Sequence, residues 1–568
     1  MPEHIIFISY IILFIISTIG YGEIFSRIIY RDLIKLNIGY LGIVGFFSLS
    51  IYGTLSSYFF AHNYFHNIVV HSIGFLGFIL YLNREQKNFL EAKRILILTL
   101  IFLIGSYVYK NHDDFPYYHL TYALNLSENK FIIGTGIFSH GFRTFSSLFY
   151  FHSLLYMPYI KFYLFHIAPF LILVFFNYII FFSLLKNKQN FNITNYFSLL
   201  SIIFVNIVFY RLGEHGTDRS AQILLLLIFL FFIQLMYYEK KDKNISLYLN
   251  CLLIFIFLAS SMKAIYYMYL VLVPLILFKK NFFKKFFVKK NFLIVSILTI
   301  SLLGNITTNY LSTGCLLYPA EKTCIGDNKW SIPSKEVKRM KLHYEWWAKA
   351  GGGPGYVSEI PREEYVKNFK WFKNWVDRHF FNKVSDTLFG LIFVYSLIYS
   401  IFYYFSNKNN KFKYNLNLKS HFILLLLPLL FLLEWFLLHP AMRYGGYVLI
   451  ALPLIIITSL MIDKLNIDNK KKDKLILIFL FVSVLGFLGR NIDRINKEIE
   501  VYNYKILESP YFYVEKVESI ILVDKPDFKI YSTKNKKMCW ASKTPCSYFK
   551  NLKSEKFFGF DVVYTDAW

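Results

Sequence analysis

Apolar residues along this chain fall in blocks of about 15 to 23, separated by short polar connections. A block of that length crosses a hydrocarbon core of about 30 Å as a helix. The blocks at 5–20, 38–60, 68–82, 95–109, 162–184, 196–210, 221–238, 247–261, 264–278, 291–311, 386–405, 421–438, 445–462 and 475–489 predict fourteen transmembrane helices. The expected fold class is an all-α polytopic membrane protein with a small α+β C-terminal domain. Residues 1–489 are read as the transmembrane domain, with large outer loops at 110–161 and 312–385, and residues 490–568 as the extracytoplasmic domain. The first block lacks a basic leader and a small-residue cleavage site, so it reads as a retained helix rather than a signal peptide. The stretch 247–278 reads as two short spans joined near Ser261-Met262-Lys263.

The connections separate into two alternating sets. One set (21–37, 83–94, 186–195, 239–246, 279–290, 406–420 and 463–474) carries 27 Lys plus Arg. The other (61–67, 110–161, 211–220, residue 263 and 439–444) carries 8 in comparable total length. Positive residues collect on the cytoplasmic side, so the first set is expected there and both termini outside. The loop KKNFFKKFFVKK at 279–290 belongs in the cytoplasm on this count, which requires the break near Lys263.

Composition agrees with the pattern. The chain of 568 residues is 56% hydrophobic, its mean hydropathy is +0.42 and its formal charge is +26. The positive excess sits in loops where it sets orientation, and no nucleic-acid-binding motif accompanies it, so nucleic acid is excluded as a partner. Of five cysteines, Cys251 lies in an apolar block. Cys315 with Cys324, and Cys539 with Cys546, lack zinc-site spacing and predict two short-range disulfides on the oxidising side. Both pairs fall outside under the charge count, which used no cysteine.

In the second large loop, Tyr365, Phe369, Phe372 and Val376 recur at helical spacing beside Lys367, Lys370 and Lys373, after the break at Gly351–Gly355. This predicts an amphipathic helix, either lying in the membrane interface or capping the bundle. In the tail, ESIILVDKPDFKIYST predicts one or two strands and CWASKTPC a disulfide-closed turn.

Four polar segments map to one side. They hold Asp113, Asp114, His119, His140 and Arg143; Glu214, His215, Asp218 and Arg219; Lys263; and Glu434, His439 and Arg443. Ionisable groups at a membrane are costly and mark function. A carboxylate serves as a general base on a hydroxyl, or holds a divalent metal ion. Lys and Arg neutralise charge growing on a departing phosphate. Asp113, Asp114 and Asp218 are the candidate catalytic residues. Arg143, Arg219, Lys263 and Arg443 are the candidate phosphate ligands, supported by His119, His140, Glu434 and His439. Simpler roles compete: Asp113 or Asp114 as the cap of a helix beginning at Pro116, Asp218 as an N-cap, Arg143 and Lys263 as partners of lipid phosphate, and Glu434 as a partner of Arg443.

With its acidic NHDDFPYYH segment in an outer loop, the chain resembles the GT-C class of polytopic glycosyltransferases. Those enzymes take sugars from polyprenyl-phosphate carriers, and Asp113 or Asp114 would be the acidic counterpart. That class places its motif after the first span, whereas four spans precede it here. The chain is also similar to bacterial multi-pass membrane proteins without an assigned reaction, in SHGFRTFSS, LLYP followed by DNKWSIP, HPAMRYGG, and a tail with Cys539-Trp540, Pro545-Cys546 and Gly559-Phe560. These resemblances imply a bacterial inner-membrane protein of cell-envelope glycan assembly, using a polyprenyl-phosphate-linked sugar at the periplasmic face. The alternatives are a lipid-linked glycan transporter or flippase, and an O-antigen polymerase or ligase, for which Arg362, Arg378 and His379 would serve.

Overall fold

The computed structural model describes residues 2–186, 192–213, 216–237, 244–280, 291–353, 355–406, 418–534 and 538–567. Each of the fourteen apolar stretches overlaps a helix. Among the described residues, ten helices are long and apolar enough to cross a membrane, and Ile193–Val208, Ala264–Phe278 and Phe422–Leu438 are shorter apolar ones. The expected 95–109 span is displaced: its α-helix covers Gln86–Phe102, carries Lys93 and Arg94, and ends in a 3₁₀ turn at Leu103–Ser106. The stretch 247–278 does break at Lys263, whose extended backbone ends Ile245–Met262 before a 3₁₀ segment at Ala264–Val271. The loop at 281–290 lies outside the described residues, as do Glu214 and His215.

The first three helices, α1 (Pro2–Ile28), α2 (Ile38–Ser56) and α3 (Tyr64–Leu82), pack tightly together. Lipid supplies no hydrophobic force between helices, so close backbone approach has to hold them. Two glycines permit it. A Cβ on Gly20 would lie 1.7 Å from the Gly74 carbonyl oxygen, and one on Gly45 1.7 Å from that of Thr18. The most enclosed helices are α4 (Ile167–Lys186), α6 (Thr217–Tyr237) and α7 (Ile245–Met262). Helix α5 (Ile193–Val208) packs against α11 (Gly446–Asp463) and α12 (Asn469–Tyr502). The remaining long helices are α8 (Phe292–Thr313), α9 (Ser385–Tyr404) and α10 (Leu418–Leu438).

The large loops gather at one end. Residues 110–161 form short helical turns, among them a π-helical turn at Phe115–His119 and a 3₁₀ turn at His140–Arg143. The 312–385 segment holds a helix at Ser334–Ala348 and the two-residue strands β1 (Gly352–Gly353) and β2 (Tyr356–Val357). The expected amphipathic helix over 365–376 is absent. Asn368 and Phe369 both take positive φ and break it, and the chain from Phe372 runs on into α9.

Helix α12 continues to Tyr502, past the expected boundary at 489. The tail then forms two antiparallel hairpins, β3 (Ser519–Lys525) with β4 (Phe528–Thr533) and β5 (Lys553–Phe557) with β6 (Phe560–Tyr564). The tail lies on the first loop. Trp540 N–H donates to the Pro116 carbonyl at 3.1 Å, Tyr548 N–H to that of Phe138 at 3.1 Å, and Ile133 bridges Val562.

Both expected disulfides form. Cys315 is bonded to Cys324 and Cys539 to Cys546, while Cys251 is a buried free thiol. Cys315 and Cys324 also face each other in an antiparallel backbone bridge, which closes the loop just after α8. Cys324 differs from the other three. Cys315, Cys539 and Cys546 are buried, but Cys324 is half-buried, because it directly follows the exposed 3₁₀ turn at Glu321–Thr323.

Candidate functional site

Four segments far apart in sequence bring charged side chains to one cavity of about 1780 Å³. Asp113 and Asp114 come from the turn before Phe115. Asp218 stands in the first turn of α6, where the positive end of the helix favours an acid. Lys263 occupies the break after α7. Arg443 sits in a 3₁₀ turn at Met442–Tyr444, and Gly445, at φ 99°, reverses the chain into α11. A left-handed backbone there suits a residue without Cβ.

These groups form a connected chain of charge. Arg443 Nη2 is 3.0 Å from Asp114 Oδ2, and its Nε is 3.4 Å from Asp218 Oδ2. The Lys263 ammonium bonds the other Asp218 oxygen and lies 4.3 Å above the Tyr444 ring. His112 Nδ1 is 3.5 Å from Asp114. Asp114 makes no capping bond, so the simple cap is not its role. The side chains of Asp114, Asp218, Lys263 and Arg443 are 21–37% exposed, all toward the cavity. Asp113 is exposed at the same cavity. Burial alone would raise the Asp114 carboxyl, but the Arg443 guanidinium, with His119 and His112, outweighs it and holds it below the usual carboxylate range. Burial lowers the Lys263 ammonium, Asp218 opposes this, and Arg443 adds to the lowering; the net direction is down.

A clamp holds the acid-bearing turn. Arg494 on α12 donates through Nη2 to the Tyr107 carbonyl at 2.6 Å and pairs with Glu498 at 3.1 Å. Glu498 in turn accepts the Tyr109 N–H at 3.0 Å. The tail adds a second support: Tyr548 stacks on Tyr117, whose hydroxyl is 3.0 Å from His140 Nδ1.

Of the predicted site residues, Asp113, Asp114, Asp218, Arg219, Lys263, His119, His140, His439 and Arg443 line the cavity. Arg143 and Glu434 do not. Arg143, only 2% exposed, donates to the Gly136 carbonyl at 3.0 Å and to Glu336 at 2.8 Å, tying the first loop to the Ser334–Ala348 helix. It stands apart from the cavity that Arg219, Lys263 and Arg443 line. Glu434 faces His439 at 3.5 Å rather than Arg443. The disulfide cysteines are also outside the site. Cys315, Cys324, Cys539 and Cys546 do not line the cavity; their bonds close short loops of 9 and 7 residues in the segments around it. Arg362 lies over Trp346 and Arg378 over Tyr356, while His379 does reach the cavity. Sequence reasoning did not assign Lys341, His343, Trp347, Tyr444 or Arg490, all of which line it. KLHYEWW carried a signal: His343 and Trp347 are four residues apart, on one helical face.

Burial, reinforced by Arg143, lowers His140 to about 4, and burial with the charges of Lys263 and Lys349 does the same to His439. His119 falls to about 3, chiefly through burial. A metal is not favoured by the donor set. Among the described residues no three His, Cys, Asp or Glu side chains cluster as a metal site, and Asp114 and Asp218 are spent on cations.

Fold and cavity together define a polytopic helical membrane protein whose charged pocket is roofed by its own loops. Residues 4–450 match the family model described as Domain of unknown function (DUF8201), and the chain belongs to that family. No curated protein and no solved structure matches it.

Proposed function

We propose that the chain is a membrane glycosyltransferase of GT-C-like type that takes a sugar from a polyprenyl-phosphate donor in cell-envelope glycan assembly. One observation carries the reading: Asp113, Asp114, Asp218, Lys263 and Arg443, from four separate segments, share a single cavity. In the reaction, the Asp113 carboxylate takes the proton of an acceptor hydroxyl. The freed oxygen bonds the anomeric carbon, and the bond from that carbon to the phosphate oxygen breaks, leaving its electron pair on the lipid phosphate. Arg443 and Lys263 neutralise that growing charge. Arg443 has five N–H donors, more than its contacts through Nη2 to Asp114 and Nε to Asp218 use. Asp114 and Asp218 aim the two cations.

The cavity wall supports a lipid-borne donor. Ile203, Phe204 and Ile207 of α5 and Leu391 and Val394 of α9 give it an apolar lining. Phe389 and Phe393, on the outward side of α9, are 61% and 70% exposed, where lipid would lie. On this reading the isoprenoid chain lies along that apolar lining. The lysine-rich connections and the two disulfides support placing this end outside the cytoplasm, with both termini there and the protein in the bacterial inner membrane. A volume near 1780 Å³ exceeds the roughly 300–1,000 Å³ of a single drug-sized site, so donor and acceptor fit together.

The test is transfer from a synthetic polyprenyl-phosphate sugar in proteoliposomes. Changing both Asp113 and Asp114 to Asn should abolish it at normal protein level. Unchanged output would overturn the assignment. His379 at the cavity favours one second reading, an O-antigen polymerase or ligase. Use of a pyrophosphate-linked oligosaccharide, with no turnover of the monophosphate donor, would select it.

A further inference from the structure

The cavity has a second corner that the charge cluster does not occupy. Its wall is the Ser334–Ala348 helix, the β1–β2 hairpin and the turn before α9. Trp347 is 40% exposed there and lines the cavity, while its neighbour Trp346 is buried. The corner is rigidly backed. The hairpin presses on Trp346 so closely that a Cβ on Gly351 would lie 2.1 Å from the indole Nε1, and one on Gly352 2.3 Å from Cη2. Arg362 covers Trp346 at 4.6 Å. Gly353, by contrast, lines the cavity with nothing within 4 Å of its Cβ direction, leaving backbone open to a ligand.

Polar groups converge on the exposed indole. The His343 ring lies 6.2 Å from the Trp347 ring, and His379 lies near the Trp347 backbone. His343 Nδ1 and His379 Nε2 are both buried from water with no hydrogen-bond partner among the described residues. Such orphan groups are costly unless something satisfies them. Lys341 and Lys383 line the same wall. The corner also abuts the charge cluster: His343 is close enough to His140 for their charges to interact, and Tyr344 to Tyr444 and Tyr118.

We propose that this corner is the acceptor subsite and that the acceptor is a carbohydrate, one ring of which stacks on Trp347 while its hydroxyls meet the polar rim of Lys341, His343, His379 and Lys383. A pyranose ring presents apolar C–H groups on one face and hydroxyls around its rim. An exposed indole flanked by Lys341, His343, His379 and Lys383 in one cavity wall matches both. A lipid chain would need no such polar rim. The inference rests on the transferase reading, because that reading makes a second reactant necessary.

Binding to the full-length protein in detergent, measured by calorimetry with cellohexaose, chitohexaose and hexagalacturonate, tests it apart from turnover. At least one of these saccharides should bind, and Trp347→Ala should weaken it by about tenfold or more, the usual weight of a central Trp. Trp347→Phe should retain most of the affinity, which guards against a folding artefact. Changing both Asp113 and Asp114 to Asn, which should abolish transfer, should leave saccharide binding as it was. Binding of none of the three, or equal affinity in Trp347→Ala, overturns the subsite. Trp347-dependent binding without transfer from any lipid-phosphate donor would instead leave the subsite standing and sink the donor chemistry.

Discussion

Two charge networks in this molecule use the same side-chain types and end differently. Arg494 and Glu498 on α12 are each 5% exposed, and their remaining polar atoms are met by backbone at Tyr107 and Tyr109 and by the Asn491 side chain. Arg443, Asp114, Asp218 and Lys263 are paired too, but all four open onto a large cavity. The first network is closed and grips the start of the acid-bearing loop. The second keeps donors and acceptors available to a visitor. Pairing alone therefore does not distinguish structure from site; access does.

The sharpest way to break this contrast is to remove one partner from the closed network. Glu498→Ala leaves a guanidinium charge uncompensated away from water, at an expected cost of about 3–5 kcal/mol. Asp114→Asn faces solvent, so screening holds its cost to about 1 kcal/mol or less. Thermal unfolding of both variants in detergent measures the difference. Equal midpoints would erase it.

Activity should rank the two networks the other way. Arg443→Gln removes a cation aimed at the departing phosphate, and transfer should fall about 10²–10³-fold, the usual loss for one such donor. Protein yield should hold. A variant that turns over within a few-fold of the parent would make Arg443 structural, like Arg494.

The pH profile gives a smaller and more specific signal. The lowered Asp114 carboxyl keeps its pair with Arg443 complete above the ordinary carboxylate range, and the pair is lost only as pH falls through a point below that range. Lys263, lowered, gives up its proton below the usual lysine range. His140 and His439, near 4, are neutral around pH 7. Transfer should thus show no limb from either histidine near 6.5 and should fall on the alkaline side before pH 10.5. Lys263→Arg, which stays charged, should move that limb upward. A limb near neutrality that vanishes in His140→Asn or His439→Asn would contradict the assignment.

How much of this could be read without coordinates follows from the range of each interaction. Apolar block length is local, and every expected span overlaps a helix, although the one expected at 95–109 is displaced. The charge count placed 113–114, 218, 263 and 443 on one side, and they do share a cavity. The hairpin of β3 and β4 and both disulfides, Cys315 to Cys324 and Cys539 to Cys546, also follow from short-range pattern. Partner choice is not local. Nothing near Arg143 names Glu336, 193 residues away, and nothing near Tyr109 names Glu498, 389 residues away. The helix expected over 365–376 failed for another reason: periodicity reports which face is apolar, not whether Asn368 and Phe369 leave the helical region. The Trp347 corner was hidden because a helix face declares itself amphipathic without saying whether it meets lipid, core or cavity.

Glu434 offers the finest discrimination. It is an acid near the end of a membrane helix, which by cost alone argues for function. Its side chain nevertheless lies outside the cavity, 34% exposed, with His439 at 3.5 Å as its neighbour. A half-buried carboxylate whose Oε2 has no hydrogen-bond partner among the described residues is held by no strong pair, so Glu434→Gln should shift stability by no more than about 1 kcal/mol. Transfer should stay within about twofold, since a group that touches neither reactant changes rate only through position. Asp218→Asn, one segment away but inside the cavity, should cost far more. If the two variants lose activity alike, access to the cavity is the wrong criterion and charge at the membrane edge is what matters.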